Sequence, residues 1–197
     1  MTSPFVGCFK GTAGGWLETV TGKEFSIAEP TAKMVDVADI AHALSHLCRF
    51  GGHSKTFYSV GQHSVYAYKV AEDYYPKDKN LQMAVLLHDG SEAYTTDLIR
   101  PLKLMLPEFC AIEAKIQACI YKALGIHCGE AEEEAIKLID NNLLRLEAEH
   151  LLQSKGEKFD FDGVQQLKFS FGIQPWTAVT ARRQFLRAYY GAGPVNR

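Results

Sequence analysis

From Asp36 onward, apolar residues recur at spacings of three and four. Val37, Ile40, Ala41, Leu44, Leu47 and Cys48 form one apolar face, with Asp36 placed as N-cap and Gly51-Gly52 as the stop. The same period predicts a second helix from Gln62 to Tyr75, ending before Pro76, and a third from Asn80 to about Ala93. Pro101 interrupts the pattern. Pro107 suits the first position of a fourth helix reaching Leu124, with Gly125 beyond it. Glu130 to Leu152 reads as a long fifth helix whose acidic first turns suit the helix dipole, and a last helix spans Trp176 to Tyr190. Residues 1–35 break this rhythm with Gly14-Gly15 and Pro30. Within them, the β-branched and aromatic residues from Trp16 to Ile27, around Gly22-Lys23, predict a small hairpin. Residues 154–175 read as a mixed loop in which Phe159, Phe161, Phe169 and Phe171 alternate with polar positions. The expected fold is an all-α helical bundle: a single globular domain over 36–197, preceded by an irregular N-terminal extension at 1–35.

Composition narrows the function classes. Among 197 residues, 21 Lys and Arg face 23 Asp and Glu, a net charge of −2. No basic surplus exists for general nucleic-acid binding, although a small anionic substrate needs only a few local cations. The longest clean apolar stretch, Met83 to Leu87, falls far short of the about 20 residues that a transmembrane helix requires. The first residues also lack the basic and apolar pattern of a secretory leader. Cys8, Cys48, Cys110, Cys119 and Cys128 are odd in number and form no CxxC pair. They predict reduced thiols, not disulfides or a thiolate zinc site, and a cytoplasmic location.

Candidate chemistry centres on His88-Asp89, at the end of the apolar run. An imidazole and a carboxylate buried there need mutual pairing or a metal ion. His63 lies near the start of the preceding helix, and Asp140 sits among Ile136, Ile139, Leu143 and Leu144 on the long fifth helix. Three segments can thus aim His63, His88, Asp89 and Asp140 at one point. Mixed nitrogen and oxygen ligation suits a divalent transition metal such as Co, Mn, Zn or Fe, with Mg a candidate for a second site. Were the third helix to continue past Asp89, Glu92 would share the ligands' side and become a candidate general acid or base. Arg49, Arg100 and Lys103 are candidate phosphate cations, and Phe50 or Tyr94 a candidate stacking ring. His53 reads as a pocket hydrogen-bonding group or a loop residue. His42 and His46, four apart on the first helix, read as structural because no carboxylate partner is evident.

The order His63, His88-Asp89, Asp140 resembles the HD-domain superfamily of metal-dependent phosphohydrolases. The similarity is strongest to the branch of bacterial 5′-deoxynucleotidases and phage deoxynucleoside triphosphohydrolases. The matching segments are Cys48 to Phe50, Phe57 to Ser64, Leu86 to Ala93 and Asp97 to Lys103, and the resemblance covers about residues 17–150. It implies a helical HD-domain fold with the metal on His63, His88, Asp89 and Asp140. It further implies Glu92 in proton transfer, Arg49 against phosphate, and Phe50 at a position that is aromatic in the deoxynucleotidases. Asp97 falls near the sugar, where it would favour deoxyribose. The expected reaction is hydrolysis of a deoxynucleotide, with a deoxynucleoside triphosphate such as dATP giving deoxynucleoside and triphosphate, and Lys103 meeting the phosphate chain. A 5′-deoxynucleotidase acting on monophosphates is the alternative. Rivals from other classes are a diiron oxygenase on the same scaffold and a nucleotide-binding module without turnover. Relatives commonly self-associate, so a homo-oligomer is implied.

Overall fold

A computed structural model describes residues 15–191, so Cys8 and Gly14 lie outside the described residues. The architecture is mostly helical. Near the N-terminus, β1 (Leu17–Glu18) and β2 (Glu24–Phe25) pair antiparallel, with Leu17 opposite Phe25, in the region where a hairpin is predicted. The hairpin is anchored at both ends. The backbone N–H and hydroxyl of Thr21 each donate to Asp39 at 2.9 Å, which satisfies a buried carboxylate. Phe25 is fully buried and stacks on Tyr94 with ring centroids 3.6 Å apart.

Eight α-helices follow among the described residues: α1 (Val37–His46), α2 (Val60–Tyr74), α3 (Lys79–Leu86), α4 (Glu92–Thr95), α5 (Arg100–Lys103), α6 (Pro107–Leu124), α7 (Glu130–Leu151) and α8 (Ala178–Gly191). Asp36 caps α1 by accepting from the Ala38 N–H. Ser59 caps α2 through the Gln62 N–H, and Gly125 ends α6 in the left-handed conformation, as its place after Leu124 predicts. The buried helix is α2. It packs against α1, α3, α7 and α8, so its buried positions run almost without break from Val60 to Ala71.

Two predicted boundaries are wrong. α1 stops at His46, short of Gly51, because the chain turns extended and Cys48 bridges Ser59. A 3-10 turn over Arg49–Gly52 follows, with Phe50 at φ 57°. The third helix does not continue to Ala93: it ends at Leu86, and a turn separates it from α4. Side chains take the carbonyls that would extend it. His88 Nδ1 donates to the Val85 carbonyl at 2.7 Å, and Gln117 Nε2 to the Leu87 carbonyl at 2.7 Å. Gln117 Oε1 then accepts from the Ser91 N–H at 2.9 Å, so α6 holds this break from both sides.

Cys48, Cys110, Cys119 and Cys128 are free thiols, as expected. No helix among the described residues is long and apolar enough to cross a membrane.

The approach of α2 to α1 depends on Gly61. A Cβ there would lie 2.8 Å from Ser45 Oγ and 3.0 Å from the Ser45 backbone nitrogen. Gly61→Ala should therefore destabilise the fold by about 1–3 kcal/mol, despite alanine's better helix propensity. Urea denaturation reads this out, and a variant as stable as the parent would refute the close approach.

Candidate metal centre and adjoining cleft

The end of α3, the N-terminal part of α2 and the middle of α7 converge. His63 lies on the first turn of α2, His88 and Asp89 in the turn after α3, and Asp140 on α7. Nε2 of His63 is 3.3 Å from Nε2 of His88 and 3.1 Å from Asp140 Oδ1. Asp89 Oδ2 lies 3.3 Å from His88 Nε2 and 3.7 Å from His63 Nε2, and His88 Nε2 is 4.0 Å from Asp140 Oδ1. His63, His88 and Asp140 each offer a ligand atom within 4.8 Å of the others, a group able to hold a metal ion.

Hydrogen bonding fixes the tautomers. The Val85 carbonyl can only accept, so His88 Nδ1 carries a proton. His63 Nδ1 lies 2.6 Å from Glu147 Oε1, and Glu147 is a carboxylate held below the ordinary range. Burial opposes that ionisation, but Arg49, His63 and Tyr58 outweigh it. His63 Nδ1 therefore donates as well. In the neutral rings, both Nε2 atoms then present lone pairs to each other and to two carboxylates. A positive charge there makes this favourable: either a proton on His63 Nε2, which then donates to Asp140, or a metal cation in its place. Ligand bonds of about 2.1 Å put adjacent octahedral corners about 3.0 Å apart and opposite corners about 4.2 Å apart. The observed separations of 3.1 to 4.0 Å fall in that interval, so the residues fit a divalent cation.

Glu147 orders the centre from behind, and sequence reasoning missed it. It is fully buried, accepts from Tyr58 Oη at 2.7 Å as well as from His63, and lies 3.2 Å from Arg49 Nε. Such a carboxylate behind a histidine ligand sets its tautomer and raises its basicity. The signal was available in the spacing: Glu147 follows Asp140 by seven residues, two turns along the same face of α7. Arg49 links the acids, with Nη1 3.5 Å from Asp89 Oδ2 and Nη2 3.9 Å from Asp140 Oδ1. Burial works against its charge, yet Glu147, Asp140 and Asp89 more than compensate and hold the guanidinium ionised. Asp140 also ionises well below the usual carboxylate range: burial opposes this, and His63, His88 and Arg49 overcome it.

Beside the cluster opens a cleft of about 650 Å³, lined by Arg49, Phe50, Asp89, Glu92, Asp97, Lys103 and Asp140. Every predicted site residue except His63 and His88 lines it, and those two lie directly behind. Glu92 reaches the cleft from α4, not from a continuous third helix. Its Oε1 accepts from Lys103 Nζ at 3.1 Å, while its buried Oε2 has no hydrogen-bond partner. Burial, then Asp89 and Asp97, push its carboxyl well above the usual range. Lys103 also lies 3.0 Å from Glu113 of α6, a second residue that the sequence did not suggest. Backbone strain flanks the cleft. Phe50 is left-handed, and Thr96 has φ 80° and ψ 156°, a region costly for a β-branched residue, just before Asp97.

Four other residues that the sequence analysis weighed fall elsewhere. Tyr94 is buried against Phe25 and cannot stack on a ligand. His53 is exposed and outside the cluster. His42 and His46 stack on each other at 4.2 Å, in keeping with a structural role.

The chain matches no protein-family model. It is 35% identical over 111 residues to the uncharacterized protein YfdR of Escherichia coli (strain K12), a stretch covering 56% of this chain. That stretch spans 59% of YfdR's length. An uncharacterized protein of Rhodobacter capsulatus is 27% identical over 142 residues, covering 69% of this chain and 72% of that protein.

Without a cation, burial and Arg49 disfavour the His63 imidazolium, but Glu147 and Asp140 prevail and push its pKa up to about 10. Below that pH a cation must displace the proton. Affinity for Mn²⁺ should therefore rise with pH, about tenfold from about pH 6.5 to about pH 7.5. Calorimetric titration checks this, and an affinity constant over that interval would contradict it.

Proposed function

We propose that this chain is a metal-dependent phosphohydrolase of the HD-domain superfamily, acting on the 5′-phosphoester of a deoxynucleotide. The observation that carries this reading is the pair of Nδ1-protonated imidazoles facing each other at 3.3 Å beside Asp140 and opening onto an acid-lined cleft. His63, His88, Asp89 and Asp140 would hold the cation. When bound, a divalent cation supplies Lewis acidity and a water of lowered pKa. Arg49 would orient a phosphate oxygen beside the cluster, its guanidinium already fixed by three carboxylates. Glu92 handles the proton. Its raised carboxyl and unpartnered Oε2 suit it to protonate the 5′ oxygen as the P–O bond breaks. Asp97, on the cleft wall, would favour deoxyribose over ribose.

The substrate favoured from sequence is a deoxynucleoside triphosphate such as dATP, cut next to the sugar. One observation favours a monophosphate instead. Lys103 is bracketed by Glu92 and Glu113, and Arg49 by three carboxylates, so of the three cations lining the cleft only exposed Arg100 is left for a long phosphate chain. A diiron oxygenase needs more histidines at the centre, and exposed His53 is not positioned to join.

Incubation with a panel of deoxynucleotides and Co²⁺ or Mn²⁺, followed by product separation, tests the reading. Deoxynucleoside with triphosphate identifies a triphosphohydrolase, and deoxynucleoside with phosphate a nucleotidase. No product from any member overturns the proposal. Glu92→Ala should keep the metal and lose about 10²–10⁴-fold in turnover. Undiminished turnover would remove Glu92 from the proton path.

A further inference from the structure

The proposed metal cluster, Glu92, Asp97 and Lys103 give a role to most of the polar lining of the cleft, Arg100, Asn141 and Asp160 aside, but not to the aromatic lining. Phe159 and Phe161 line it as well, in a loop that the family resemblance does not reach. Their rings stack with centroids 5.9 Å apart and planes within 12° of parallel, and Phe159 is 37% exposed. An apolar ring pair left open in a cleft that Leu144 and Val164 line as well, and that also holds the charged cluster, offers area that a planar ligand would cover.

The loop is firmly held, and α7 holds it. The Arg145 guanidinium sits 4.9 Å over the Phe161 ring, and its Nη2 donates to the Phe161 carbonyl at 3.3 Å. Asn142 donates to the Gln165 carbonyl and accepts from the Leu167 N–H, each at 2.9 Å. Asn142 lies two residues from Asp140, so one helix carries both a metal-site carboxylate and the support for the aromatic wall. Phe50, in its left-handed turn beside Arg49, adds a third ring to the same cleft.

We propose that Phe159 and Phe161, together with Phe50, form the nucleobase-binding wall of this cleft and recognise the base through its π-face. The proposal rests on the reading that a nucleotide occupies the cleft. Stacking of this kind tolerates any base, so the wall separates nucleotides from base-less sugar phosphates more than it separates one base from another.

The test measures binding to the full chain supplied with Mn²⁺ and carrying Glu92→Gln to stop turnover. Two ligands are compared by calorimetry: deoxyadenosine 5′-monophosphate and deoxyribose 5-phosphate. Phe159→Ala and Phe161→Ala should each weaken the nucleotide about 5- to 100-fold and leave the sugar phosphate unchanged. Phe161→Tyr should retain nucleotide affinity. Equal weakening of both ligands, unchanged nucleotide affinity, or a parent that binds the two ligands alike would overturn the base wall while leaving the hydrolase reading standing. Binding of neither ligand to the parent would instead remove the nucleotide reading, and the wall with it.

Discussion

Two imidazole Nε2 atoms 3.3 Å apart, each ring with its Nδ1 committed as a donor, stand together because a positive charge lies between them: a proton on His63 in the metal-free chain, or a cation that displaces it. Much of the local structure maintains that arrangement. The turn after α3 exists because His88 bonds back to Val85 and Gln117 bonds to Leu87 and Ser91. Glu147 fixes His63 from behind, and Tyr58 and Arg49 in turn keep Glu147 from standing alone as a buried charge. Hydrogen bonding thus aims the ligand atoms before any ion arrives. Preformed placement of this kind reduces the ordering that binding must impose.

A single long helix links the centre to its surroundings. From α7 come Asp140 toward the cluster, Glu147 behind it, and Asn142 and Arg145 toward the 161–167 segment. At about 100° per residue, Glu147, seven beyond Asp140, returns to the same face and meets the same His63, while Asn142 and Arg145, two and five beyond, face the 161–167 segment. The proposed metal centre and base wall therefore share one rigid reference. The strained backbone at Phe50 and Thr96 sits at the cleft margin, where side-chain direction matters most.

Much of this was legible in the sequence because it follows from local chemistry. Pro107 and Gly125 delimit α6 as their backbone preferences dictate, and the acidic first turn of α7 matches its dipole, with Glu132 accepting from the Gly129 N–H. Gathering His63, His88, Asp89 and Asp140 needed only the cost of burying such groups unpaired. The break before Glu92 was not legible. Nothing in the spacing reveals that Gln117, 30 residues away from Leu87, takes its carbonyl. Glu147 carries a partial signal in its seven-residue offset from Asp140, but a carboxylate on an acidic helix usually faces water. The 159–164 wall has alternating phenylalanines and no local cue to what they face, since its position is set by α7.

The central claim is that His63 and His88 both ligate one divalent cation together with Asp140 and Asp89. X-ray absorption at the cobalt edge of Co²⁺-loaded, desalted protein tests it most directly. The account predicts about one retained cobalt per chain, nitrogen and oxygen neighbours at about 2.1 Å, and the outer-shell scattering of two imidazoles. Cobalt lost on desalting, or a spectrum without imidazole scattering, would contradict it.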